Sequence, residues 1–228
     1  MIRKFRSFFN YWVFIGTNWN FSLATFTIFH EIRGEKKYGL DTLRIDRLKS
    51  LSVKGDNKIH GSIYQGCNYF VLEKGFDFLK QYGPFRHFVD FGCGKGRALA
   101  VAAHYGFNRI TGVDFAAALC QEAESNLRDQ KIRFPETKFA VLHEDASMYP
   151  IEPDQDVFFF FNPFDEVVML QVVKNLLASL RKHPRKLWVF YANPVDKEIF
   201  LSAGFEERHY IKKLQYLELS ILSLTPTR

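Results

Sequence analysis

Residues 88–97 read Phe-Val-Asp-Phe-Gly-Cys-Gly-Lys-Gly-Arg, and the next apolar run, Ile110 to Asp114, closes on a carboxylate. His87 to Phe91 has the aromatic, apolar character of a short buried strand, interrupted only by Asp90. It breaks into Gly92, Gly94 and Gly96, and Leu99, Val101, Ala102 and Tyr105 then follow at helical spacing from Arg97. A strand, a glycine turn and a helix in that order make half of a βαβ unit. Glycines allow the sharp turn and let a ligand come close to main-chain N–H groups. The second strand, Arg109 to Asp114, ends 18 residues after Gly96, where an acid can accept hydrogen bonds from both hydroxyls of a ribose.

Two details separate the classes of nucleoside cofactor. A dinucleotide turn wants G-x-G-x-x-G, and Arg97 stands at its third glycine; the spacing here is G-x-G-x-G. Asp90, two residues before the first glycine, would repel a pyrophosphate but suits a ligand carrying an ammonium and a sulfonium. These residues resemble the class I S-adenosylmethionine-dependent methyltransferases, and the resemblance covers about residues 85–224. It implies an α/β fold: a Rossmann-like, doubly wound, seven-stranded sheet, mostly parallel, with a C-terminal antiparallel hairpin. It also implies S-adenosylmethionine as the cofactor. Gly92, Gly94 and Gly96 then match the loop against the methionine portion, and Asp114 matches the ribose acid. Asp145, after the third strand, matches the acid that bonds the adenine amino group, with the Ala146 backbone adjacent. Lys95 and Arg97 are candidates to meet the cofactor carboxylate.

The rest of the chain reads in step with that sheet. Tyr69 to Gln81 has helical spacing and is stopped by Gly83-Pro84. Further strands are expected at Phe139–Leu142, Val157–Phe161 and Leu187–Tyr191, with helices at Ala117–Arg128, Glu166–Leu180 and up to Ala203. Phe205–Ile211 and Leu214–Leu224 lie too close together for a crossover, so they form a hairpin across Lys212-Lys213.

The fourth strand delivers Asn162-Pro163-Phe164 after four phenylalanines. That triplet is similar to the (Asn/Asp)-Pro-Pro-(Tyr/Phe) signature of methyltransferases acting on amino or amide nitrogen, with the second proline missing. An Asn oxygen and a backbone carbonyl can hold two N–H groups, point the nitrogen lone pair at a methyl group, and stabilise the positive charge that develops. Phe164 is expected to stack on a flat substrate or cover an amine. Asn162, Pro163 and Phe164 are thus the candidate catalytic residues. N-methylation of a protein side chain such as lysine, or of a similar amine, is the expected reaction. A small-molecule O-methyltransferase, a nucleic-acid methyltransferase and a non-catalytic nucleoside-binding module are the alternatives.

Residues 1–84 read as a basic, aromatic and largely helical N-terminal extension to a cofactor-binding domain at 85–228. The chain's formal charge is +6. Residues 1–60 carry 11 Lys+Arg against 5 Asp+Glu, so the whole basic excess lies there. Such an arm can attract nucleic acid, an anionic membrane surface or an acidic protein. Ser7 to Phe29 is free of charge, but eight Ser, Thr and Asn residues interrupt it, which disfavours a transmembrane helix. Phe8, Trp12, Ile15, Trp19, Leu23 and Phe26 fall near one helical face, expected to pack on the domain, with peripheral membrane contact the minority alternative. The stretch from Arg33 to Thr42 reads as a loop, followed by a helix over 43–51. No cleavage site of signal-peptide type is evident. Cys67, Cys93 and Cys120 form no C-x-x-C pair, which argues against a disulfide scaffold or structural zinc and for a reducing, cytoplasmic setting.

Overall fold

The computed structural model describes residues 2–42 and 66–226. A seven-stranded sheet in the order β3-β2-β1-β4-β5-β7-β6 forms its centre. The strands are β1 (Phe88–Phe91), β2 (Arg109–Asp114), β3 (Lys138–His143), β4 (Val157–Phe161), β5 (Leu187–Ala192), β6 (Glu206–Lys213) and β7 (Leu217–Leu224). β1 to β5 are parallel, and β7 joins β5 antiparallel. The strand order reverses at β1, whose neighbours are β2 and β4. Loops leaving the carboxyl ends of β1 and β4 therefore diverge and open a crevice, the usual place for a ligand on such a sheet.

Helices cover both faces, which is why the inner strands read as unbroken apolar runs. α3 (Tyr69–Leu79), α4 (Arg97–His104) and α5 (Ala117–Arg133) lie on one face, and α6 (Glu166–Lys182) and α7 (Lys197–Ser202) on the other. β4 shows the alternation: Phe159 joins the first core, with Phe88 and Phe190, while Phe158 and Phe160 join the second, with Val89 and Val189. α3 seats itself through Gly75, where an added Cβ would stand 2.2 Å from the Phe190 ring.

The N-terminal segment differs from its sequence reading in two ways. It is a helical hairpin, α1 (Ile2–Asn18) and α2 (Phe21–Tyr38), broken where the Asn20 side chain accepts a bond from Leu23 N (2.8 Å). Residues 33–38, expected as loop, are the last turns of α2, which ends on left-handed Gly39 (φ 67°). The misleading residue was Gly34. It is tolerated inside the helix because the Tyr69 ring packs where its Cβ would be, at 2.2 Å. The hairpin docks on the domain as expected, with Tyr11, Ile15, Leu23 and Ala24 buried against Leu214 and Leu217. The β6–β7 hairpin is also as expected, but its turn lies at Leu214–Tyr216 rather than Lys212-Lys213; Leu214 (φ 49°) and Gln215 (φ 66°) take left-handed backbone without the Gly or Asn that would signal it. The helix expected over 43–51 lies outside the described residues.

Candidate active site at the sheet switch point

The glycine turn is built around Gly92. Its φ is 78°, and an added Cβ would stand 2.3 Å from Pro163 Cβ, so both conformation and space demand glycine. Gly92 N and Cys93 N donate to Val113 O (2.8 and 3.1 Å), which ties the turn to the end of β2. Asp114 completes the tie: one carboxylate oxygen accepts from Gly94 N (2.8 Å), the other from Ala116 N (2.9 Å). Burial raises the Asp114 carboxyl above the ordinary carboxylate range, and these two backbone bonds oppose the rise. Asp90 is fully enclosed beneath the turn; burial first, and then Asp114, push its carboxyl well up.

Beside this turn opens a small cleft, lined by Gly92, Asp114, Asp145, Ala146, Pro163 and Phe164 among others. Six of the ten residues singled out from sequence thus share one space. Gly94, Gly96 and Asp90 support the turn from behind. Asp145 Oδ1 accepts from both N and Oγ of Ser147 (2.8 and 2.7 Å), an Asx-type turn that fixes the carboxylate at the rim. Phe115 and Glu144 also line the cleft, and sequence reasoning missed them. Each adjoins an acid already marked, which was the available signal.

A second cavity, about 280 Å³, lies on the other side of β4. Its walls are Phe161, Ala192 and Asn193 at the ends of β4 and β5, Tyr11, Ile15 and Trp19 from the helical hairpin, and Tyr216 from the terminal turn. Residue 161 lines the second cavity and residue 163 lines the cleft; Asn162 stands between them in the chain and is not itself among the lining residues of either. Asn162 has a left-handed backbone (φ 43°), and so does Asn193 (φ 50°). Phe161 and Ala192 are register partners, so the two asparagines leave adjacent strands side by side, each followed by proline.

Residues 88–185 match the methyltransferase domain family. The chain carries a class I S-adenosylmethionine-dependent methyltransferase domain. No curated relative matches the sequence. Among solved structures, the methyltransferase domain of bacterial CtHen1-CN superposes with a TM-score of 0.53 at 16% identity, over 67% of this chain and 97% of its own. A Pyrococcus horikoshii protein described as an RNA methyltransferase gives 0.52 at 17% identity, over 78% of this chain and 92% of its own. The Pyrococcus abyssi tRNA (uracil-54, C5)-methyltransferase, in complex with S-adenosyl-L-homocysteine, gives 0.51 at 11% identity, over 70% of this chain and 39% of its own. At such identities the likeness establishes the fold. S-adenosylmethionine is the cofactor of this methyltransferase.

Two basic residues of the methyltransferase's glycine turn were candidates for the cofactor carboxylate, and the structure places both elsewhere. Lys95 is fully buried and pairs with Glu122 (3.2 Å). Arg97 is buried against the extension: its guanidinium meets both oxygens of Glu31 (2.8 and 3.0 Å), donates to Cys67 O (2.8 Å) and Thr42 Oγ1 (2.7 Å), and lies over the Tyr69 ring at 4.3 Å. The same arginine that breaks the dinucleotide pattern is the bolt between glycine turn and N-terminal hairpin.

Proposed function

We propose that this methyltransferase methylates an amine nitrogen, a protein lysine or a similar small amine, held in the second cavity and presented to the cofactor past Asn162. The observation that carries the reading is that Asn162 joins Phe161, in the wall of the second cavity, to Pro163, in the wall of the cleft. When bound, S-adenosylmethionine would supply a methyl group on sulfonium sulfur: the acceptor's lone pair would bond to the methyl carbon as the C–S bond breaks, S-adenosylhomocysteine would leave as the thioether, and the methylated ammonium would release its proton to solvent. The chain's part is alignment and dehydration. In this reading the Asn162 side-chain oxygen accepts an N–H of the acceptor, aims its lone pair and stabilises its growing positive charge. Pro163 and Phe164 wall the cofactor cleft, Asp114 holds the ribose hydroxyls, and Asp145 with Ala146 meets the adenine. Asp90, enclosed beneath the turn, would favour a cationic ligand there over an anionic one.

The lining of the second cavity supports an amine over a phosphate-bearing acceptor. Among the described residues that line it there is no Lys or Arg, whereas Glu31 and Glu218 are present, paired with Arg97 and Lys212 respectively. Its aromatic walls, Tyr11, Trp19, Phe161 and Tyr216, also favour the neutral amine. A lysine whose free pKa is about 10.4 must lose a proton before it can attack. We assign the enzyme to the cytoplasm on the same reading, with Cys67, Cys93 and Cys120 as free thiols.

Labelled S-adenosylmethionine incubated with cell lysate, then resolved into protein, small-molecule and nucleic-acid fractions, tests the proposal. Label is expected as methylamine in the first two fractions; label confined to RNA or DNA, or released as a methyl ester or ether, overturns it. The cofactor assignment has its own test. Asp114→Asn is expected to weaken S-adenosylhomocysteine binding by about 1–3 kcal/mol, the usual cost of removing a charged acceptor from hydrogen-bond donors. Titration calorimetry reads this directly, and unchanged affinity would remove Asp114 from the ribose site.

A further inference from the structure

The hairpin α1–α2 has a second face, turned away from the domain. Along α2, Phe21, Thr25, Phe29, Ile32 and Lys36 recur at spacings of four, four, three and four, which stacks them in one outward stripe. The large members of that stripe are about half exposed or more: Phe21 52%, Phe29 62% and Ile32 49%. α1 extends the surface sideways. Phe9 is 54% exposed and stacks on Trp12 (6.3 Å), Trp12 meets Phe21 (5.0 Å), and Trp12 Nε1 donates to Thr25 Oγ1 (3.2 Å). Single exposed apolar residues are ordinary, but a connected aromatic surface spread over two antiparallel helices is the mark of an interaction site. Water does not favour such a face, and none of the described residues of the domain covers it.

Charge selects the occupant. Residues 1–30 contain Arg3, Lys4 and Arg6 and no Asp or Glu, and the first acids, Glu31 and Glu35, are buried inward. The face is therefore aromatic, carries exposed Lys36 in its stripe and shows no exposed carboxylate among its described residues, and the sequence that leads into it adds three cations; this matches an anionic lipid surface, where each basic residue near the headgroups adds attraction and aromatic rings settle at the headgroup level. No helix among the described residues is long and apolar enough to cross a membrane, so the hairpin can lie in the interface rather than span it. We propose that α1–α2 is a peripheral membrane anchor that lies flat on an anionic phospholipid surface through Phe9, Phe21, Phe29 and Ile32. The assignment is independent of the methyl acceptor. It does carry a consequence for access: Trp19, about half exposed, lines the second cavity from the same hairpin, so docking sets that cavity's rim at the lipid surface.

The test uses the full-length protein and sedimentation with two kinds of vesicle, phosphatidylcholine alone and phosphatidylcholine mixed with phosphatidylglycerol. Binding is expected to the mixed vesicles, with a blue shift of tryptophan fluorescence, and to weaken as salt is raised. The triple variant F9S/F21S/F29S is expected to lose at least about tenfold in vesicle affinity, as is R3Q/K4Q/R6Q. Both should keep wild-type affinity for S-adenosylhomocysteine, which shows that the domain remains folded. Absence of binding to either vesicle overturns the proposal. So does a dimer in sedimentation velocity that F9S/F21S/F29S converts to monomer without any vesicle binding, since a second copy of the chain would then be the occupant.

Discussion

Asn162→Gly is expected to lower turnover by about 10²-fold or more while changing affinity for S-adenosylhomocysteine by less than about tenfold. Glycine is the clean substitution because Asn162 holds a φ of 43°, which alanine enters only with strain. Asn162→Gly thus removes the amide and keeps the turn, and Asn162→Ala adds a backbone penalty that stability measurements will show. If the amide oxygen accepts an acceptor N–H, Asn162→Asp retains part of the activity, since it keeps an acceptor atom at the same reach. The lost interaction belongs to the transition state, so kcat should fall more than KM rises. Normal turnover in Asn162→Gly would reduce Asn162 to a strand-end turn residue, and the assignment of nitrogen as acceptor would fall with it. Asn193 provides the internal comparison. It shares the left-handed backbone and lines the second cavity, yet lies one strand farther from the cofactor cleft, so Asn193→Gly is expected to act mainly on KM.

Arg97→Ala is expected to destabilise the protein by about 3–5 kcal/mol, the range for removing one partner of a buried ion pair. Arg97 and Glu31 are 4% and 2% exposed, so nothing replaces the lost guanidinium except protonation of the acid. Burial already raises the Glu31 carboxyl to about 7, and Arg97 is the chief influence holding it down. The sign of the pH dependence follows. A carboxyl whose folded pKa exceeds the ordinary 4.5 binds more protons when folded, so its contribution is most favourable at low pH and declines as pH rises through 7. Without Arg97 the folded value climbs further, and the deficit of the variant should widen from pH 5 to pH 8. Replacing both partners, Arg97→Met with Glu31→Leu, should recover much of the loss, because well-packed apolar groups often match a buried pair. Urea denaturation across that pH range measures all three forms. A deficit below about 1 kcal/mol for Arg97→Ala, flat with pH, would show that the network contributes little to holding the hairpin on the domain.

The legible part of this protein was local. Strand, glycine turn, helix and terminal acid all fall within residues 88–114, and each is dictated by near neighbours: alternation of two for the strands, helical spacing for α4, positive φ at Gly92. Once the strand and helix patterns alternated, handed βα crossovers left little choice of sheet, and Asp114, Asp145 and Asn162 had to emerge along one edge. Order along the chain therefore sufficed to bring Gly92, Asp114, Asp145, Ala146, Pro163 and Phe164 to one cleft.

What the tertiary structure decided were matters of pairing across distance. Lys95 and Arg97 looked like free cations because their partners, Glu122 and Glu31, are remote in sequence, and burial of an ion pair leaves no periodic signal. Gly34 read as a loop because its partner ring, Tyr69, comes from another helix. The second cavity is invisible along the chain, since its walls come from the hairpin α1–α2, the ends of β4 and β5 and the β6–β7 turn. Phe164 and Phe161, three residues apart, fall on opposite sides of Asn162 because a left-handed residue between them redirects the backbone. Local sterics and hydrophobic periodicity are written residue by residue, whereas which side chain meets which, and what space remains between them, exists only after the sheet has brought distant segments together.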